Sequence, residues 1–210
     1  MKNKIWILGL ALAIGSVLVL FGVGRVSTEK GLALIESAYS GGWSKGEKSA
    51  KAVLVEYSDF QCPACRLYYP IVEQLVKDFD GELELIYRHF PLAQIHRNAL
   101  PAALAAEAAG TQGKFWEMHN LLFDNQDIWK DLADPKSAFE AYANIIGLDI
   151  VKFRADISSE KVMDSVKESY KSGLKMGLQG TPTFFLNGDR IDNPKNYDEF
   201  KNIIQKAISS

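Results

Sequence analysis

Asp59-Phe60-Gln61-Cys62-Pro63-Ala64-Cys65-Arg66 holds the only two cysteines of the chain, three positions apart. Upstream, Ala52-Val53-Leu54-Val55-Glu56-Tyr57 is a compact apolar run with β-branched residues, which reads as a buried strand. Downstream, Pro63 suits the first turn of a helix, where a missing N–H costs nothing. That helix is predicted to carry Leu67, Tyr68, Ile71, Leu75, Val76 and Phe79, to kink at Pro70 and to end at Asp80-Gly81. Leu83 to Phe90 reads as a second strand. Strand, helix and strand in this order predict a right-handed parallel unit with the cysteines at the start of its helix.

The spacing constrains the chemistry. A Cys-x-x-Cys pair closes a loop too small to restrict the unfolded chain much, so a purely structural disulfide is a weak reading. A zinc site wants four ligands, and His89, His96 and His119 stand at no regular ligand spacing from the cysteines. The pair is therefore read as a redox couple, with no metal and no cofactor. A formal net charge of −2 gives no electrostatic case for nucleic acid. An apolar content of 47% in 210 residues is ordinary for one globular domain with an appendage.

Residues 1–26 are that appendage. A basic start, Met1-Lys2-Asn3-Lys4, precedes an uncharged apolar run from Ile5 to Val23. As a helix rising about 1.5 Å per residue, this run comes close to the roughly 30 Å thickness of a bilayer core. Lys2 and Lys4 would hold the N-terminus in the cytoplasm. The rival is a cleaved signal peptide, but its apolar core would be shorter, about 7–15 residues, and Gly22-Val23-Gly24 is a poor cleavage site. An uncleaved single-pass anchor is expected, with secretion or release to the periplasm as the alternative. Both place residues 27–210 outside the cytoplasm, where disulfides persist.

Residues 27–50 are turn-rich and polar and read as a linker. Residues 51–210 read as one discontinuous domain. From about 96 to 176 the signals are helical: alanine-rich Pro101 to Ala109, Phe115 to Phe123, a capped start at Asp134-Pro135 leading to Gly147, and Val162, Val166 and Tyr170 at four-residue intervals. Thr183-Phe184-Phe185-Leu186 is then a third strand. Asn187-Gly188 signals a hairpin into Asp189-Arg190-Ile191, and Asn196-x-x-Glu199 caps a last helix.

A strand leading to Cys-x-x-Cys on a helix start, with a distant Thr-Pro before another strand, resembles the thioredoxin superfamily. The stretches Val55–Cys65, Arg88-His89-Phe90-Pro91-Leu92, Gln112–His119 and Gly180-Thr181-Pro182-Thr183-Phe184-Phe185-Leu186-Asn187-Gly188 are similar to the DsbA family, especially its membrane-anchored, BdbD-like members. The resemblance covers roughly residues 45–208. It implies an α/β thioredoxin fold with an all-α insertion between β-α-β and β-β-α halves, behind an N-terminal transmembrane helix. It implies a thiol:disulfide oxidoreductase that introduces disulfides into exported proteins. The implied partners are reduced exported proteins and a membrane quinone-linked reoxidase of DsbB or VKOR type. A disulfide isomerase or reductase, a glutathione-dependent isomerase and a non-redox peptide-binding chaperone on the same fold are the alternatives. The linker is too short for an added dimerisation domain, so a monomer is expected.

Helix N-termini carry unpaired N–H groups and partial positive charge, which favour a thiolate. Cys62, at the tip, is the expected nucleophile and Cys65, one turn in, the less exposed resolving thiol. The dipeptide Pro63-Ala64 tunes the couple. Ala64 stands where the best-known family member has histidine, so the strength of the oxidant, not the reaction, turns on it. The resemblance implies a cis bond between Thr181 and Pro182, in a loop that lies against the cysteines and offers backbone groups to an extended substrate. Glu56, in a strand that otherwise reads as buried, is expected to have a raised pKa suited to exchanging a proton with Cys65. His89 is read as a structural histidine. Arg88 is read as pairing with Glu56 or Glu84, or facing water.

Overall fold

The computed structural model describes residues 41–209. The anchor expected at residues 1–26 and the first part of the linker lie outside them. Among the described residues, no helix is long and apolar enough to cross a membrane.

The chain begins with β1 (Trp43–Gly46) and β2 (Ala52–Ser58), followed by α1 (Pro63–Asp78) and β3 (Leu83–His89). Six helices come next: α2 (Ala99–Gly110), α3 (Phe115–Asp124), α4 (Gln126–Trp129), α5 (Lys136–Ile145), α6 (Ile150–Ile157) and α7 (Glu160–Lys175). The hairpin β4 (Thr183–Leu186) and β5 (Asp189–Ile191) then leads to α8 (Tyr197–Ile208). The strands form one sheet in the order β1-β3-β2-β4-β5. β2 and β3 are parallel and the other pairs antiparallel. A mixed sheet with its helical insert between the β-α-β and β-β-α halves is the expected thioredoxin architecture.

Local chemistry explains most of these boundaries. α1 runs through Pro70 to Asp78, and Gly81 follows it at φ 75°. Asn187 and Gly188 both take positive φ, 49° and 94°, between the paired residues Leu186 and Asp189. That is a two-residue turn whose twist matches the flanking strands. Asn196 accepts from the Glu199 N–H at 2.9 Å, and Glu199 Oε2 accepts from the Lys195 N–H at 2.8 Å. The expected box therefore closes one residue earlier on its return bond. At α5, Pro135 is the flanking residue, while Asp134 folds a turn onto the Lys136 N–H at 3.0 Å.

Two expectations are corrected. Residues 43–46 are a strand rather than part of a linker, paired antiparallel to β3 with Trp43 opposite Tyr87. Trp43 stacks on Phe115 at 4.6 Å and donates from Nε1 to Glu107 Oε1 at 2.9 Å. It also lies so close to Gly110 that a side chain there would collide with its ring. Arg88 is buried and neither faces water nor reaches toward Glu56. Strand alternation turns it to the opposite face of the sheet, where Nη2 donates to Ser172 Oγ at 2.8 Å.

The same alternation divides the core. Leu54, Leu83, Leu85, Phe184 and Leu186 pack against Val72 and Leu75 of α1 and Phe200 and Ile204 of α8. Val55, Tyr57, Ile86 and Phe185 form the other face with Phe90 and Leu178. A third cluster fills the insert around Phe115, Leu122, Phe139 and Phe153, and reaches out to Phe60, Cys65 and Tyr87. The cysteines therefore sit where the sheet domain meets its insert.

Candidate active site

Cys62 is the N-cap residue of α1, in extended backbone geometry with no side-chain capping bond. Both cysteines are free thiols. Cys62 is 7% exposed and Cys65 fully buried. The Cys65 thiol donating toward Cys62 is the largest influence pulling the Cys62 pKa down, to about 5. The Thr181 side chain and the Cys65 and Ala64 backbone N–H groups add to it, against the opposing effect of burial. These are the orphan donors of the helix terminus, now directed at sulfur. Burial, the adjacent Cys62 sulfur and Glu56 push Cys65 in the opposite direction, well above a free thiol. One sulfur is thus held as an anion at neutral pH and the other as a thiol.

Thr181 and Pro182 face the cysteines from the loop before β4, joined by a cis peptide bond. When protonated, the Cys62 thiol donates to the Thr181 carbonyl at 3.4 Å. The Thr181 hydroxyl is enclosed and closes no hydrogen bond beside the dithiol, which leaves it available to a thiolate.

Glu56 lies on β2, opposite Tyr87 on one side and Phe184 on the other. It is 3% exposed. Burial raises its carboxyl to about 7, with Glu73 adding and the Ser58 hydroxyl opposing. Cys62, Cys65, Thr181, Pro182 and Glu56 therefore all converge on the junction. Pro63 and Ala64 form the first turn between the cysteines. His89 is turned elsewhere, with Nε2 3.1 Å from Glu107 Oε1.

Three supporting residues escape a linear reading. Asp59, buried, accepts from the Gln61 N–H at 2.7 Å and the Leu92 N–H at 2.9 Å, and lies 2.7 Å from His96 Nδ1. Its own N–H points at Cys65 Sγ at 3.5 Å. Gln61 accepts from the Asn98 N–H at 2.7 Å and donates to the Lys130 carbonyl at 2.8 Å. Gln126 donates to the carbonyls of Phe60 and Cys62 at 2.7 and 3.1 Å. The acid before the Cys-x-x-Cys pair was visible in sequence. Its distant partners, Leu92 and His96, lie 33 and 37 residues away and carried no local signal.

A thiolate at a helix tip, a buried partner thiol one turn in and a carbonyl presented beside them are the working parts of a thiol–disulfide oxidoreductase. Residues 40–206 match the thioredoxin family model, and the chain belongs to that family. Oxidised BdbD from Bacillus subtilis superimposes with a TM-score of 0.72 at 25% identity, over 81% of this chain and 94% of that one. The thiol-disulfide exchange protein α-DsbA2 from Wolbachia pipientis gives 0.73 at 18% identity, over 87% and 96%, a likeness of fold. By sequence, the Na(+)/H(+) antiporter NhaA 1 of Mycolicibacterium vanbaalenii is 40% identical over 154 residues, 71% of this chain and 24% of that protein. NhaA 3 of Salinispora tropica is 35% identical over 166 residues, 79% and 24%. The chain spans about a quarter of the length of these curated relatives.

Proposed function

We propose that this protein is a thiol:disulfide oxidase that passes its Cys62–Cys65 disulfide to reduced proteins outside the cytoplasm. The observation that carries the proposal is the placement of Cys62 at the N-cap of α1 against the Thr181 loop, where the Cys65 thiol, the Thr181 side chain and the helix-terminal N–H groups pull its pKa down to about 5. A thiolate preference exists only in the reduced enzyme, so it stabilises the reduced form and makes the disulfide more oxidising, by up to about 30 mV for each tenfold preference. The Ala64 side chain supplies none of this, although its backbone N–H contributes. The helix terminus, Cys65 and Thr181 supply it.

In the forward reaction a substrate thiolate attacks Cys62 sulfur. The Cys62–Cys65 bond breaks, and Cys65 leaves with the electron pair and takes up a proton, for which Glu56 is the source. A second substrate thiolate then attacks the substrate sulfur of the mixed disulfide. The substrate disulfide forms and Cys62 departs as a stabilised thiolate, a good leaving group. Two electrons remain on the cysteines, to be removed by a membrane quinone-linked reoxidase. The apolar run from Ile5 to Val23 supports a single-pass anchor that would hold the domain close to such a partner.

The deciding measurement is the reduction potential of the full chain, by equilibration with glutathione. An oxidase is expected above about −180 mV, whereas a value near about −270 mV would make the protein a reductase.

A further inference from the structure

We propose that Ser58 is the proton carrier between Cys65 and Glu56, with the Tyr87 hydroxyl as its second neighbour. This rests on the reading of Glu56 as the proton source and sink of Cys65. It adds the group through which the proton travels.

The placement follows from the strands. Glu56 and Ser58 are two apart on β2, so their side chains share a face. The parallel register sets Glu56 beside Tyr87 and Ser58 beside His89. Cys65 reaches the same face from the first turn of α1. All four groups are buried: Ser58 is 1% exposed, and Tyr87 and Cys65 are fully covered. No direct hydrogen bond joins Glu56 to Cys65; they act on each other only through space. The Ser58 hydroxyl, by contrast, is near enough to pull down the pKa of Glu56, of Cys65 and of Tyr87.

The hydroxyl itself shows the stronger sign. A buried serine held for structure closes its hydrogen bond, because an unpaired buried hydroxyl costs about 1–3 kcal/mol. Ser58 Oγ and Tyr87 Oη are both enclosed and close none with the dithiol present. Two of the groups around Ser58, Glu56 and Cys65, change protonation in each catalytic cycle. A hydroxyl both donates and accepts, so it can pass a proton either way without acquiring charge. A carboxylate or an ammonium at the same position could not.

During reoxidation Cys62 is joined to a partner sulfur. The Cys65 proton moves to Ser58 Oγ while the Ser58 hydroxyl proton moves to the Glu56 carboxylate. Cys65 sulfur attacks Cys62, the Cys62–Cys65 bond forms, and the bond to the partner breaks with its electron pair on the partner sulfur. Substrate oxidation runs the same transfer backward. The ionisable groups around the bridge are Cys65, Tyr69 and Glu73 from α1, Tyr87 and His89 from β3, Asp59 after β2, and His119 from α3. Glu73 is neutralised by Lys45 of β1 at 2.6 Å. Burial keeps His119 neutral, with its pKa lowered to about 3.

The test is a single turnover of the reduced full chain with one equivalent of Ellman's reagent. Cys62 captures the aromatic thiol in a first phase, and Cys65 expels it as a coloured thiolate in a second. Ser58→Ala is expected to leave the first phase intact and slow the second about a hundredfold, the low end of what positioned proton transfer contributes. The inflection near neutral pH should disappear from the second phase. Ser58→Thr, which keeps the hydroxyl, should restore both. An unchanged second phase in Ser58→Ala, or a Ser58→Thr protein as slow as Ser58→Ala, overturns the relay. Glu56→Gln separates the two readings: if it alone slows the second phase, the relay fails and Glu56 stands. If Glu56→Gln has no effect, both fall.

Discussion

Gln126, on the helical insert, donates from Nε2 to the carbonyl of Cys62 at 3.1 Å. The same nitrogen holds the Phe60 carbonyl at 2.7 Å, so the insert grips the active-site turn on both sides of Gln61. Gln126 is buried, and its removal would take the side-chain donor from the Phe60 carbonyl and leave the Cys62 carbonyl only its helical bond from the Arg66 N–H at 3.2 Å. Gln126→Ala should cost about 1–3 kcal/mol in urea unfolding, since an unsatisfied buried polar group bears its full desolvation cost. A loss confined to a few tenths would mean that the insert does not hold the turn.

The Thr181 side chain is one of the groups that lower Cys62. Thr181→Val keeps the shape and removes the donor. The Cys62 pKa, followed by the ultraviolet absorbance of the thiolate, should rise above about 5. The reduced protein should change with it. Thiolate stabilisation is complete above the ordinary thiol range near 9 and is lost as pH falls through about 5. Thr181→Val should therefore weaken the reduced form at neutral pH and leave it unaffected in acid. An unmoved titration curve would remove Thr181 from the electrostatics of the site.

Cys65 is fully buried while Cys62 retains a sliver of exposure, so substrates reach only Cys62. Cys65→Ala should accumulate mixed disulfides on Cys62, visible on non-reducing gels with a reduced test protein. Cys62→Ser should abolish transfer. Adducts on Cys65 in the Cys62→Ser protein would reverse the assignment.

The sequence made the sheet core legible because its signals are local. Val53, Leu54 and Val55 mark a buried strand, Pro63 marks a helix start, and Asn187-Gly188 can make only a few kinds of turn. The cysteine pair and Thr181-Pro182 were legible for the same reason. β1 was not. It has four residues, two of them polar and one glycine, and is held by the Trp43 stack on Phe115 and its bond to Glu107, 64 residues away. For Arg88 the readings toward Glu56 and toward water fail, because the pleat turned it toward Ser172 and 5.9 Å from the Tyr57 ring. Asp59, Gln61 and Gln126 look like ordinary polar residues until folding brings their partners to them. The active-site scaffold is non-local even where its chemistry is local.

Glu56 sets cost against use. Its folded pKa of about 7 lies above the ordinary value of 4.5, so folding favours the protonated form. The protein is least burdened below 4.5, loses stability as pH rises through the window from 4.5 to about 7, and carries the whole penalty above it. That penalty is about 3 kcal/mol, at roughly 1.4 kcal/mol for each tenfold change in proton affinity. Glu56→Gln keeps the shape without the charge. In urea unfolding of the reduced protein it should be more stable than wild type by up to about 3 kcal/mol at about pH 8, and nearly equal to it at about pH 4. A buried acid retained for packing alone would be a plain loss, since glutamine packs as well. A more stable variant that is slower in the step involving Cys65 would show that the charge is kept for proton transfer. Equal stability at both pH values would place the carboxylate in contact with solvent and remove it from the buried network.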